Sequence, residues 1–292
     1  MTVKPKLGLS LMSTPDFHQA SAELFESGKV EVVEWSFDNA FNGAFIEPWC
    51  QDIVDRYSDA NALLGHGVTL SPLSVRFSQR QRDWLMGAAE EFRSHNYIHA
   101  SEHFGFSEAG PVAHGAPLAV PMNSATLKSG KEMMKRFAEA TRRPVGLENL
   151  AFAFCIEDVK RQGEFIDHLL SDVDGFLLLD LHNLYCQQLN FNIPAIELLE
   201  SYPLERVREI HISGGSFSPS ISGRRIFVRR ATHDEPVAQE VLELAVHALK
   251  RCPGAEYIIY ERLGFTMEDE ESQAEYRGDF ETLAQLLEMI YV

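Results

Sequence analysis

Eight short runs of β-type residues recur along the chain, each separated from the next by a longer stretch with helical character. They are 7–12 LGLSLM, 30–35 VEVVEW, 62–69 ALLGHGVT, 96–103 NYIHASEH, 144–150 PVGLENL, 176–183 FLLLDLHN, 207–215 VREIHISGG and 256–262 EYIIYER. Several begin almost without polar residues, as parallel strands buried on both faces do, and collect their polar residues at the end. Helical periodicity marks 15–28, which closes on Gly28, then 79–94 with Trp84, Leu85 and Phe92 on one stripe, 127–142, 158–171 and 237–251. In a chain of 292 residues, this alternation predicts a single domain spanning 1–292, a (β/α)8 TIM barrel with its chemistry at the C-terminal rim of the strands. An open doubly wound sheet is the other arrangement the alternation allows. No G-x-G-x-x-G or G-x-x-x-x-G-K-[ST] follows any run, which removes the main support for a nucleotide-binding sheet. Two long connections, 107–126 and 214–232, have the length of lids or binding loops.

The polar residues at the strand ends carry the functional signal. His66 ends the third run, His103 the fourth, Glu148 the fifth, Asp180 and His182 the sixth, His211 the seventh and Glu261 the eighth. A lone histidine or glutamate in a strand is usually a hydrogen-bonded core residue. Seven of them at one rim are harder to explain that way, because buried carboxylates side by side must be protonated or neutralised. Few Lys or Arg occupy these positions, so metal ions are the natural neutraliser. Strand alternation places Asp180 with His182 on one face, Glu209 with His211 and Ser213, and His99 with Ser101 and His103; Glu102 falls on the opposite face and reads as structural. THDEPV at 232–237 adds His233 and Asp234 near the same rim. Imidazole and carboxylate ligands without thiolate suit Fe, Mn or Zn.

Charge and cysteine usage narrow the partners. Lys and Arg number 26 against 43 Asp and Glu, a net −17, which disfavours nucleic acid and anionic membrane surfaces. Cys50, Cys155, Cys186 and Cys252 lie far apart and read as reduced thiols, with Cys186 a buried core residue. No run approaches the roughly 18 apolar residues of a membrane span, and the first residues lack a signal-type apolar segment, so a cytoplasmic protein is expected.

The segments GHGVTLS, SEHFGF, GLENLA, LLLDLHNLY, EIHISGG, THDEPV and YER, in this order, resemble the multinuclear non-haem iron-dependent oxidative enzymes, the family of the methanobactin-biosynthesis oxidase. The resemblance runs from about residue 7 to residue 262. It implies a xylose-isomerase-like barrel in which two to three iron ions use O2 to modify a residue, usually cysteine, of a ribosomally synthesised precursor peptide presented by a small partner protein. Carried over, His66 and His103 hold one iron, and Glu148 bridges it to a second held by Asp180, His211 and Glu261. Glu148, Asp180 and His211 form the catalytic heart, and a third site draws on His182 or Asn183 and on His233. The chain departs from the family twice: Asp180-Leu181-His182-Asn183 stands where Asp-x-Asn-Asn is common, and Ala231-Thr232-His233 stands where Asp-Thr-His is. Trinuclear zinc endonucleases and metal-dependent sugar isomerases use the same scaffold, and a non-catalytic peptide-binding member is a further alternative. The endonuclease needs a cationic groove, for which the sequence offers only Arg224, Arg225, Arg229 and Arg230.

Overall fold

The computed structural model of the protein describes residues 3–43, 45–109, 112–220 and 227–291. The barrel strands are β1 (Lys6–Leu11), β2 (Val32–Trp35), β3 (Leu63–Gly67), β4 (Tyr97–His103), β7 (Val145–Glu148), β8 (Phe176–Asp180), β9 (Val207–Ser213) and β12 (Tyr257–Glu261). They pair in parallel and close in the order β1-β12-β9-β8-β7-β4-β3-β2. Each of the eight runs expected from sequence overlaps one strand, and the TIM barrel is the observed fold.

Two hairpins interrupt the βα repeat at the C-terminal rim. β5 (Phe106–Ala109) pairs with β6 (Val112–Leu118), and β10 (Phe217–Pro219) with β11 (Phe227–Arg229), both antiparallel. They occupy the two long connections; residues 110–111 and 221–226 of those connections, with Arg224 and Arg225, lie outside the described residues.

The helices are α1 (Pro15–Glu26), α2 (Pro48–Asp59), α3 (Gln79–Ser94), α4 (Ser124–Thr141), α5 (Ile156–Leu170), α6 (Leu181–Phe191), α7 (Ala195–Glu200), α8 (Gln239–Arg251) and α9 (Glu270–Tyr291). α3 shows why such segments are helical. Ser78 caps it in a capping box with Gln81, and Trp84, Ala88 and Phe92 form its buried stripe. Burying a ring such as Phe92 against the barrel contributes about 1.5–3 kcal/mol. The periodicity argument did not assign α2, α6, α7 and α9. α6 is the instructive case, because it starts at the residue after β8 with no intervening turn.

Alternation along the strands positions the site. Val32, Leu64, Tyr257 and Ile259 form a small apolar cluster separate from the main core, the inward-facing plug of the barrel. Two residues beyond Val32, Leu64 and Ile259, the same inner faces carry Glu34, His66 and Glu261. The register does the rest: His103 pairs with Glu148, Asp180 with His211, His66 with Ser101 and Ser10 with Glu34. Neighbouring strands lie about 4.8 Å apart, so these pairs are set side by side at one height. No helix of the described residues is long and apolar enough to cross a membrane.

Candidate metal centre

Three overlapping groups of ligand atoms, each within 4.8 Å of one another, gather at the mouth: His66, His103 and Glu148; Glu148, Asp180 and His211; Asp180, His233 and Glu261. Glu148 is the hinge of the first two. Its Oε2 lies 3.4 Å from His66 Nε2 and 3.3 Å from His103 Nε2, and its Oε1 accepts from Asn183 Nδ2 at 3.0 Å. His66 and His103 are in ring contact, with centroids 4.6 Å apart. On the far side His211 Nδ1 and His233 Nδ1 stand 3.3 and 3.1 Å from Glu261 Oε2.

Three of the four imidazoles facing Glu148 or Glu261, those of His66, His103 and His211, have a polar group behind the ring. His66 Nδ1 bonds to Ser101 Oγ at 2.8 Å and His211 Nε2 to Glu34 Oε2 at 2.9 Å. Glu102 Oε2 lies 3.5 Å from His103 Nδ1 and accepts from His103 N, while Oε1 accepts from Leu70 N at 2.6 Å. A metal-binding histidine characteristically gives its other nitrogen to such a partner, which fixes tautomer and ring angle. Glu34 is fully buried and was absent from the sequence inventory. One layer below, Glu209 Oε2 meets His99 Nε2 at 2.7 Å and its Oε1 lies 3.6 Å from His211 Nε2, making Glu34, Glu209 and His211 a fourth group.

Local backbone explains the remaining placements. Asp180 ends β8 and caps α6, its Oδ1 accepting from Asn183 N at 2.6 Å. Asn149 bonds both ways to the Asp180 backbone, at 2.7 and 3.0 Å, and so clamps β7 to β8 at this height. His182 therefore sits in the first turn of a helix, and the strand parity expected to align it with Asp180 does not apply. It joins none of the three-residue groups; its Nε2 accepts instead from Arg229 Nε at 3.2 Å. Asn183 donates to Glu148 and to Asn149 O. His233 holds a left-handed backbone, φ 51°, which costs a residue with a Cβ roughly 1–2 kcal/mol and is found where surrounding structure enforces it. Its carbonyl accepts from Leu263 N at 2.8 Å, tying the loop to the end of β12. Asp234 faces away, accepting from Thr232 Oγ1 and Ser216 Oγ.

The electrostatics are those of ligands competing for protons. Burial opposes charge on every member, yet the imidazoles of His103 and His66 outweigh it and hold Glu148 at about 2. Burial is likewise outweighed at His103, which Glu148 and Glu102 push up to about 10, and at His233, which Glu261 pushes up to about 9. Asp180 goes the other way, raised to about 7 by burial and by the charge of Glu148. Asp180 Oδ2, His211 Nδ1 and Asn183 Oδ1 are buried without a hydrogen-bond partner. Orphaned ligand atoms among carboxylates that only protonated imidazoles balance are what a cation site leaves behind. The donors fit a metal: His66, His103 and Glu148 form one group, and Glu148, Asp180 and His211, then Asp180, His233 and Glu261, form two adjoining ones. Cys186 lies 3.8 Å from His182 Nε2, and burial pushes its thiol well above the ordinary range, so it is an inert core thiol.

Large apolar side chains are exposed around this rim. Phe45, Phe152, Phe154, Phe217, Phe227 and Phe265 all project from segments that follow barrel strands. A cavity of about 600 Å³ is lined by residues that include Leu73, Phe77, Phe106 and Val120. Arg229 and Arg230, part of the basic cluster seen in sequence, do not make one surface: Arg229 is buried and Arg230 exposed.

The sequence model of a family described as the RiPP precursor modification enzyme MbnB/TglH/ChrH matches residues 16–270. Curated relatives are UPF0276 proteins. That of Shewanella sediminis is 28% identical over 155 residues, 51% of this chain and 52% of the relative. That of Caulobacter vibrioides is 25% identical over 248 residues, 84% and 83% of the two. The chain spans about half the length of the first curated relatives it matches. Among solved structures, a xylose isomerase domain containing protein of Salmonella typhimurium superposes with TM-score 0.61 at 12% identity, covering 98% of both chains. Endonuclease IV of Thermus thermophilus gives 0.56 at 12%, covering 98% of this chain and 100% of the other. At such identity these two share the fold with this chain.

Proposed function

Because the chain belongs to the RiPP precursor modification enzyme family MbnB/TglH/ChrH, we propose that it is an O2-dependent multinuclear non-haem iron oxidase acting on a cysteine of a ribosomally synthesised precursor peptide. The observation that carries this is the meeting of four imidazoles with Glu148, Asp180 and Glu261 at one barrel mouth, with ligand atoms left unpaired. Bound iron would supply one-electron redox chemistry toward O2 and an open position for a thiolate.

The protein's own residues then have distinct tasks. His66, His103 and Glu148 hold one ion; Glu148, Asp180, His211 and Glu261 hold the second, with His233 beside them through Glu261. Ser101 and Glu34 orient His66 and His211 from behind. In the metal-free centre Glu148 is ionised at all ordinary pH while Asp180 titrates near neutrality, so Asp180 is the carboxylate that must give up a proton for the second ion to load. Since Cys186 is buried and inert, the cysteine comes from the substrate. The exposed aromatic rim suits a peptide, with a small partner protein presenting it, since apolar patches of this kind mark binding faces.

The corner that would hold a third ion is differently built. Ala231 offers no ligand, His182 is bonded to Arg229, and Asn183 is engaged by Glu148. The remaining group, Asp180, His233 and Glu261, gives both carboxylates to the second ion in this assignment and keeps only His233, so we expect two ions. Protein expressed with iron-57 and isolated without oxygen should show two coupled irons per chain by elemental analysis and Mössbauer spectroscopy. Stoichiometric zinc or no metal would overturn the iron reading, and three irons would overturn the reading of this corner.

A further inference from the structure

Arg229 is 8% exposed and has no carboxylate partner. No Asp or Glu of the described residues lies within 4.0 Å of its guanidinium, and the undescribed residues include none. Side chains of this type are seldom buried unpaired, because the charge loses its hydration. The surroundings of Arg229 hold it in place without neutralising it. Its backbone N–H and C=O bond to the Asn190 side chain at 3.0 and 2.8 Å. Its Cζ stands 5.5 Å from the Tyr185 ring centroid and 5.0 Å from that of Phe217, an aromatic clamp on a cation. Its Nε donates to His182 Nε2 at 3.2 Å.

His182 is fitted to that acceptor role. Gly215 makes room for the arrangement, since a Cβ there would come within 2.6 Å of His182 Cε1. The guanidinium thus spends one edge on His182 and two faces on aromatic rings. The two Nη groups, the pair whose geometry matches a carboxylate, have no partner among the described residues. The group stands close to the metal centre: the His182 ring lies 6.3 Å from that of His233, whose Nδ1 meets Glu261.

We propose that Arg229 is the anchor for a carboxylate of the substrate, taken by its Nη fork at the corner of the mouth that Ala231 leaves without a metal ligand. The carboxylate is either the terminal group of a peptide or an Asp or Glu side chain next to the residue that reacts. Only this choice of source depends on the peptide reading above; a carboxylate site at Arg229 stands without iron or oxidation.

The test is titration calorimetry on the protein as isolated, under anaerobic conditions, with N-acetylalanine, N-acetylalaninamide and N-acetylaspartic acid α-amide as probes. None carries a thiol. The expected result is that a carboxylate probe binds at least about tenfold more tightly than N-acetylalaninamide, that Arg229→Gln abolishes the preference, and that Arg229→Lys, which keeps the charge but not the fork, reduces it several-fold. N-acetylalanine winning assigns the terminal carboxylate, and the aspartyl probe winning assigns a side chain. Equal binding of all three probes, or a preference that survives in Arg229→Gln, overturns the proposal. Should Arg229→Gln fail to fold, the ratio in Arg229→Lys decides: an unchanged preference overturns it. Zinc or absent iron in the metal analysis would leave this outcome untouched.

Discussion

Glu34 ties the barrel interior to the rim, since its carboxylate meets His211 Nε2 at 2.9 Å and leaves Nδ1 facing Glu261. Glu34→Gln keeps the shape and removes the charge, so metal affinity should fall about 10- to 100-fold with little change in fold, as measured by competition with a chelator. The sequence carries a signal for this residue: an acid two positions beyond the inward Val32, on the same face of the strand. That signal is weak because VEVVEW has charge on both parities, Glu31 and Glu34, and only burial separates them. His66, His103, Glu148, Asp180, His211 and Glu261 were legible because each follows or ends a strongly apolar run, and the structure gathers all six. The protonation pattern makes a second prediction. In metal-free protein His103 at about 10 and His233 at about 9 bind protons that the unfolded chain releases near 6.5. That stabilisation is complete below about pH 6.5 and is lost as pH rises through 9 to 10. Asp180, raised to about 7, acts in the same direction, because ionising it in the fold costs stability between about pH 4 and 7. Metal-free protein should therefore unfold at steadily lower denaturant as pH rises from 6 to 10, and metal loading at pH 7.5 should expel two or more protons per chain, those of the ligands His103 and His211 among them, read by calorimetry in buffers of different ionisation enthalpy.

At the scale of elements, the junction of β8 with α6 is what the sequence concealed. FLLLDLHN continues the apolar run past Asp180, and nothing in it announces that the chain turns helical at Leu181. The cue was Asp180 itself, which acts as an N-cap to Asn183, and in a candidate ligand the capping role is easily overlooked. α9 was equally quiet, its apolar positions being diluted by acids along 22 residues. By contrast α3 was read to its true ends, because Ser78 and Gln81 form a local cap and its aromatic stripe is unambiguous. β7 supplies a prediction at this scale. Gly146, two residues before Glu148, leaves space for the Phe176 ring, which a Cβ would approach to 2.4 Å. Gly146→Ala should cost about 1–3 kcal/mol by overpacking, seen as a lower denaturation midpoint with unchanged m-value, and should weaken metal binding because Glu148 rides on the same strand.

The whole molecule is polar in its arrangement. Its negative charge is spread over a body of net −17, while exposed phenylalanines are concentrated on the loops of one face. The barrel order was legible because eight buried strands must alternate with covering helices; the crowding of aromatic side chains at one end was not, because an exposed phenylalanine looks the same in sequence as a buried one. In colloidal terms the chain is a patchy particle, kept dispersed by repulsion rather than by a uniformly wettable surface. Near its isoelectric point, about pH 5.0, that repulsion vanishes and the sticky cap remains. Light scattering should then show reversible self-association between about pH 5 and 6 that disappears at pH 8 in low salt. Replacing Phe154 and Phe265 by serine should suppress it, since the adhesive end of the particle would be gone while its charge stayed the same.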